Sequence, residues 1–316
     1  MTAIARPLAP AAPRARRAGW VLTDAVTITW RNLMQVVRNP QLAVIDTITP
    51  IMFVLLFAFV FGGAIQVPGG NYVDYLMPGI FVQTVVFGAT GTAIGLAEDL
   101  QKGLIDRFRS LPMAGSAVLV GRTFSDTLRN LYTVLVMTVV GYLIGFRFHG
   151  SPVDAVLAIG LVIGFAYAIA WLSANIGLRA KSAQAAQGAI FIPIFPLTFA
   201  SSAFVPVQTM PSWLRPIAQA NPVTVVVNAA RGLVEGNPDP HTVIAAAAWI
   251  AGIIVVFAPL ALLRYRRRAW AARGRPRHGP RPRPGPGIHG TGRQETLGRL
   301  APSAEDPPVP EGPARS

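Results

Sequence analysis

The chain has 316 residues, of which 52% are hydrophobic and only 13% charged, and it carries a formal net charge of +14. A soluble domain carries about a quarter charged residues. Half that share, with the apolar residues gathered in blocks near twenty long, excludes a water-soluble globular enzyme. The excess positive charge sits at the ends: residues 1–42 hold six Lys/Arg against one acid, 264–316 hold twelve against four, and the body between holds ten against nine. This distribution argues against a nucleic-acid-binding body and for basic ends facing an anionic membrane surface.

Residues 1–19 are rich in Pro, Ala and Arg and lack the apolar core of a signal peptide, so a disordered tail is expected there. Leu22, Val26, Trp30, Leu33 and Val37 then recur at helical spacing, with Thr27, Arg31, Gln35 and Arg38 on another face. The pattern predicts an amphipathic helix over 20–39, lying on the cytoplasmic surface and ended near Asn39-Pro40. A domain over 40–268 follows, in which six stretches reach spanning length: 44–63, 76–97, 128–146, 156–178, 187–205 and 242–263. At about 1.5 Å per residue each covers the roughly 30 Å hydrocarbon core, and backbone in lipid must satisfy itself, so all six are expected to be helices. Pro193 and Pro196 are expected to kink or break the fifth.

Orientation follows from the basic residues of alternate loops. One side carries 25 Lys/Arg and the other only Arg147, Arg215 and Arg231. Both termini are therefore expected on the cytoplasmic side.

Between the second and third spans, Leu100, Leu104, Phe108 and Leu111 recur at helical spacing while Asp99, Lys102, Asp106 and Arg109 face elsewhere. Pro112 stops this helix, and Ser116 offers the N-cap of a second that runs into the third span. On that second helix Arg122 and Asp126 form an i, i+4 pair, and Asp126 and Arg129 an i, i+3 pair. Residues 206–241 are too apolar for a solvated loop and too broken for a span, which predicts two short helices dipping into the outer leaflet. Past the basic cluster Arg264, Arg266, Arg267 and Arg268, residues 269–316 form a basic tail. Its stretch 271–316 holds 10 Pro and 8 Gly in 46 residues, a composition that forms no core and predicts disorder.

The missing chemistry is equally informative. There is no G-x-x-x-x-G-K-[ST] phosphate loop, no G-x-S-x-G elbow, no H-E-x-x-H and no cysteine, and His149, His241, His278 and His289 lack metal-ligand spacing. Inside the spans the only acid is Asp46, near one end, so neither a proton relay nor a cation filter is expected and energy must come from elsewhere. Among the polar groups there, Gln83, Thr84, Asn175, Thr198, Ser201 and Ser202 have interhelical hydrogen bonding as their ordinary use.

The segment 98–113, EDLQKGLIDRFRSLPM, resembles the first cytoplasmic loop of ABC-2-type transport permeases, as does Gly121-Arg122 followed by Asp126 and Arg129. A second block, FASSAFVP at 199–206, continues through MPSWL at 210–214 and NPVT at 221–224 to RGL at 231–233. It is similar to the late region of the daunorubicin/doxorubicin-resistance-type branch of that family. Serines at 201 and 202 depart from the asparagine or glycine frequent there.

The resemblance implies an all-α integral membrane protein of the bacterial inner membrane. It would be the permease half of an ABC exporter of hydrophobic or amphiphilic, drug-like molecules, with no nucleotide-binding site of its own. Two permease copies would engage two copies of a separate ABC ATPase, which holds ATP and Mg; no directly bound cofactor and no nucleic acid are implied. The first cytoplasmic loop would be the helix that couples to the ATPase, with Gly103, Asp106, Arg107, Ser110, Leu111 and Pro112 as its residues and Glu98, Arg122 and Asp126 in support. Gln83, Phe199, Ser201 and Ser202 are the candidates for a substrate path. The alternatives are a lipid or lipid-linked glycan exporter, a non-transporting tether or regulator of an ATPase, and a pore-forming channel.

Overall fold

Among the residues described by the computed structural model, which are 40–61, 71–102 and 115–271, nearly all are helical and no strand occurs. The chain divides into two units, Met1–Arg275 and Pro276–Ser316, and every described residue lies in the first. The predicted surface helix over 20–39, the coupling residues 103–112 and the tail beyond 271 lie outside the described residues.

Helix α1 (Pro40–Leu55) starts on a proline, whose missing N–H a first turn does not need, and passes into a π-helical turn at Leu56–Phe61. Helix α2 (Tyr72–Gly88) is capped by Asn71, whose side chain accepts from the Val73 N–H at 3.1 Å. The predicted second span is one apolar run in the sequence but two helices in space, because the chain turns at Ala89 before α3 (Thr90–Gln101). The Thr90 hydroxyl donates to the Phe87 carbonyl at 2.6 Å, meeting an acceptor that the break releases.

Helix α4 (Gly115–Leu143) begins one position before the predicted cap. The hydroxyls of Ser125, Thr127, Thr133 and Thr138 each donate to the carbonyl four residues back, so α4 engages these polar groups with its own backbone. Helix α5 (Pro152–Gly177) opens with a reciprocal capping box, in which Ser151 Oγ accepts from the Asp154 N–H and Asp154 Oδ2 from the Ser151 N–H.

Helix α6 (Ala183–Phe199) corrects the expectation of a break. It stays helical across Pro193 and Pro196 and ends at Phe199 rather than at 205. Asn221 makes that end tenable: its Nδ2 donates to the carbonyls of Leu197 at 2.6 Å and Ala200 at 2.8 Å. Its Oδ1 meanwhile caps α8 through the Val223 N–H. A 3-10 turn (Val207–Thr209), α7 (Arg215–Ala220) and α8 (Pro222–Glu235) fill the region predicted to hold two short helices. Gly236 ends α8 at φ +75°, where a Cβ would also press on the backbone of His149 and Gly150. Helix α9 (Pro240–Ala271) closes the described chain.

Helix α5 is the hub and packs against α2, α3, α4, α6, α8 and α9. Its interior contacts use small residues, among them Ala166, Ala170, Ala174 and Gly177, which let neighbouring backbones approach closely. The main core centres on fully buried Leu76, Met77, Ile80, Phe146 and Phe165, with Phe81 edge-on to Phe146 at 6.1 Å. A smaller cluster of Leu96, Leu119, Trp171, Leu178 and Tyr265 ties α3, α4, α5 and α9 at one end.

The surface is the inverse of a soluble protein's. Large apolar side chains stand outward on α1 (Met52), the π-turn (Phe59), α4 (Val139, Leu143), α6 (Ile192, Phe195) and α9 (Val255, Val256), while Thr92, Asn130, Ser173 and Asn175 are buried. Three helical stretches are long and apolar enough to cross a membrane, Tyr72–Gln101, Pro152–Gly177 and Pro240–Tyr265, and two shorter ones are apolar, Ile48–Val60 and Ala183–Phe199. Helix α4 is absent from that set because Arg122, Asp126 and Arg129 interrupt its apolar run.

Candidate functional site

Both helices that flank the predicted coupling segment end in one charged cluster. Arg122 of α4 donates from Nη1 to Asp99 Oδ2 of α3 at 2.9 Å, and its Nε lies 3.6 Å from Asp126 Oδ2 one turn on. Thr92 Oγ donates to that same Asp126 oxygen at 2.6 Å. A row of glycines receives these groups: a Cβ on Gly95 would overlap the Arg122 guanidinium, one on Gly91 would crowd Arg129, and one on Gly88 would overlap Asn130. Gly91 and Gly95, four apart, share one face of α3, a signal present in the sequence that reading for charges passes over.

More of the same end is tied by polar contacts. Gln101 Nε2 donates to the Lys181 carbonyl at 3.2 Å, and Arg264 donates to Asn175 Oδ1 at 2.8 Å while Asn175 Nδ2 bonds the carbonyls of Trp171 and Phe257. The predicted supporting residue Glu98 pairs with Lys102 at 3.1 Å on the exposed side, a contact worth only tenths of a kcal/mol. Arg122 and Asp126, by contrast, are drawn into one network with Asp99, a partner that helical spacing alone does not reveal.

The four candidates for a substrate path separate into three places. Ser201 and Ser202 lie in the non-helical stretch after α6 and are spent on structure. Ser201 Oγ donates to the Thr198 carbonyl, Ser202 Oγ donates to Asn228 Oδ1 at 2.8 Å, and the Ser202 N–H donates to Thr224 Oγ at 3.1 Å. Above them is buried Arg231, which sequence reading counts only as a loop positive. Its guanidinium donates to the carbonyls of Tyr75 at 3.1 Å and Ser202 at 3.0 Å and to Asn228 Oδ1 at 3.0 Å, and it lies 3.6 Å from the centre of the Tyr75 ring. Such a planar cation, always protonated, is met here by carbonyl dipoles and an aromatic face.

Phe199 belongs to an aromatic row, 4.4 Å from Phe195 and 5.5 Å from Phe204, whose other side stacks on Phe57 of the π-turn at 4.6 Å. Gln83 instead lines a cleft of about 260 Å³ between α1, α2 and α4, together with Phe53, Phe87 and Asn130. No group of three or more His, Cys, Asp or Glu residues that could hold a metal occurs among the described residues.

A helical bundle with an apolar exterior, buried polar ties and a charged cluster at one end has the character of a multi-pass membrane protein. The sequence profile of the ABC-2 type transporter family matches residues 23–234, and the chain belongs to that family. It is 33% identical over 247 residues to the daunorubicin resistance ABC transporter permease protein DrrB1 of Streptomyces coeruleorubidus, covering 78% of this chain and 87% of that one. It is also 28% identical over 221 residues to DrrC of Mycobacterium tuberculosis, named for a doxorubicin resistance ABC transporter permease, with 70% and 80% covered. The transport permease ycf38 of Cyanophora paradoxa matches at 26% over 219 residues, with 67% of this chain and 74% of that one covered.

Proposed function

We propose that this chain is the membrane-spanning permease subunit of an ABC exporter, moving hydrophobic or amphiphilic small molecules outward on energy from a separate ATPase. The observation that carries this reading is membership of the ABC-2 family together with relatives named for daunorubicin and doxorubicin resistance. In this reading six helical segments cross the inner membrane: α1, the α2–α3 pair, α4, α5, α6 and α9. Helix α4 crosses despite its charges because Arg122, Asp126 and Arg129 fall in its first half and leave its second half apolar. The 25-to-3 split of basic residues puts both termini in the cytoplasm. Two permease copies and two ATPase copies form the working assembly, and ATP and Mg are bound by the ATPase alone.

Coupling then has a mechanical basis. The segment 103–114 joins α3 to α4, and the Asp99–Arg122–Asp126 network holds those helices together at its base. A displacement of the segment by ATPase closure is thus passed to two helices at once rather than absorbed by a loop. Charge reversal at Asp106 together with Arg107 is expected to abolish ATP-driven efflux from vesicles containing the ATPase, with membrane insertion intact. Normal efflux from the doubly changed protein would sink the coupling assignment.

A further inference from the structure

The cleft between α1, α2 and α4 is lined by two side-chain amides, Gln83 and Asn130. Gln83 is 5% exposed and Asn130 4% exposed. Gln83 Oε1 is buried without a hydrogen-bond partner, and Asn130 Oδ1 rests against Gly88 at the same cleft. Every other hydroxyl of α4 noted above bonds its own backbone, and Asn175, the comparable amide of α5, makes three hydrogen bonds. Leaving an amide unpaired away from water is costly, and polar groups at such positions in a membrane bundle mark pathways or ligands.

The surroundings narrow the ligand. Phe53 from α1 and Phe87 from α2 supply aromatic walls, and Thr84 and Thr133 supply hydroxyls. Arg129 lines the cleft, and no carboxylate stands among its lining residues, which disfavours a cation. Carboxamides both donate and accept, so they match a group such as a ring ketone beside a hydroxyl. The volume, about 260 Å³, suits one ring system rather than a whole large amphiphile. Backbone shape also favours the site: α2 gives way to α3 at Ala89, directly beside Gly88, and Gly88 is where Asn130 rests.

We infer that this cleft is a binding subsite for the uncharged, hydroxyl- and carbonyl-bearing planar ring of a transported amphiphile, with Gln83 and Asn130 as its hydrogen-bonding residues. The inference rests on the export reading for the ligand's role, but the binding itself is read on the permease alone. The full chain, in lipid nanodiscs without ATPase, is titrated with the dihydroxyanthraquinone quinizarin, with anthracene as the same ring frame lacking oxygen, and with ethidium as a planar cation.

Gln83→Met and Asn130→Leu should each weaken quinizarin binding by about tenfold, the loss expected for a buried hydrogen bond. Anthracene binding should hold, and the melting temperature without ligand should stay level or rise, because a buried amide has been replaced by an apolar group. Equal quinizarin binding by all three proteins, parallel weakening of anthracene, tighter binding of ethidium than quinizarin, no quinizarin binding to the unaltered chain, or a lowered ligand-free melting temperature each overturns the subsite. ATP-driven efflux from vesicles separates the two readings: efflux with no amide-dependent binding leaves the exporter standing without this subsite, and amide-dependent binding with no efflux does the reverse.

Discussion

Gly177 and Gly160 lie on the same helix, α5, yet their missing side chains mean different things. A Cβ on Gly177 would stand 2.5 Å from the Ala93 carbonyl oxygen and 2.9 Å from its Cα, so α5 and α3 meet backbone to backbone, whereas a Cβ on Gly160 meets nothing within 4 Å. Gly177→Ala is therefore expected to destabilise by about 1–3 kcal/mol, as overpacking does, and Gly160→Ala to stabilise by up to about 1 kcal/mol through helix propensity. Thermal unfolding in detergent checks both, and similar shifts of the same sign would contradict the close approach. Arg231 is as position-specific. Its donors reach three acceptors while its plane stacks on Tyr75, a set that one ammonium group cannot reproduce. Arg231→Lys should thus cost about 2 kcal/mol in unfolding stability, although charge is preserved.

Individual elements owe their limits to capping and to the fate of freed carbonyls. Prolines at 193 and 196 leave the carbonyls of Ala189 and Ile192 without their helical donors yet do not stop α6, which ends at Phe199, where Asn221 bonds the carbonyls of Leu197 and Ala200. Proline positions do not locate that end, because the side chain that closes it is more than twenty residues away and also caps another helix. At the start of α9, Asp239 accepts from the Thr242 hydroxyl and from the backbone N–H groups of Thr242 and His241. The Thr242 hydroxyl above all, with the backbone donors, holds its carboxyl below the usual range. A depressed acid favours the folded start at pH above its ordinary titration, near pH ~4, and that support fades only as the pH falls through the lowered value. Hydrogen exchange at residues 241–243 should stay protected on acidification past the point where free aspartate titrates, and Asp239→Ala should remove that protection at every pH.

At the scale of the whole molecule, an apolar exterior and an interior stitched by Asn175, Arg122 and Arg231 reverse the arrangement of a soluble domain. Lipid tails are as apolar as the side chains they touch, so cohesion depends on close backbone approach and polar ties rather than on burial from water. Reconstituted with its ATPase, such a permease should show hydrolysis stimulated by transported substrate. Hydrolysis indifferent to every amphiphile tried would favour the tether. The helical, apolar character of the chain and its family were legible along the sequence, because spanning length and loop motifs are local properties. Only the tertiary structure could join Asp99 to Arg122, spend Ser201 and Ser202 on structure, and leave Gln83 and Asn130 facing one cleft. Each of those facts concerns which residues distant in sequence stand within about 3 Å of one another, and helical periodicity assigns a face without naming what that face will meet.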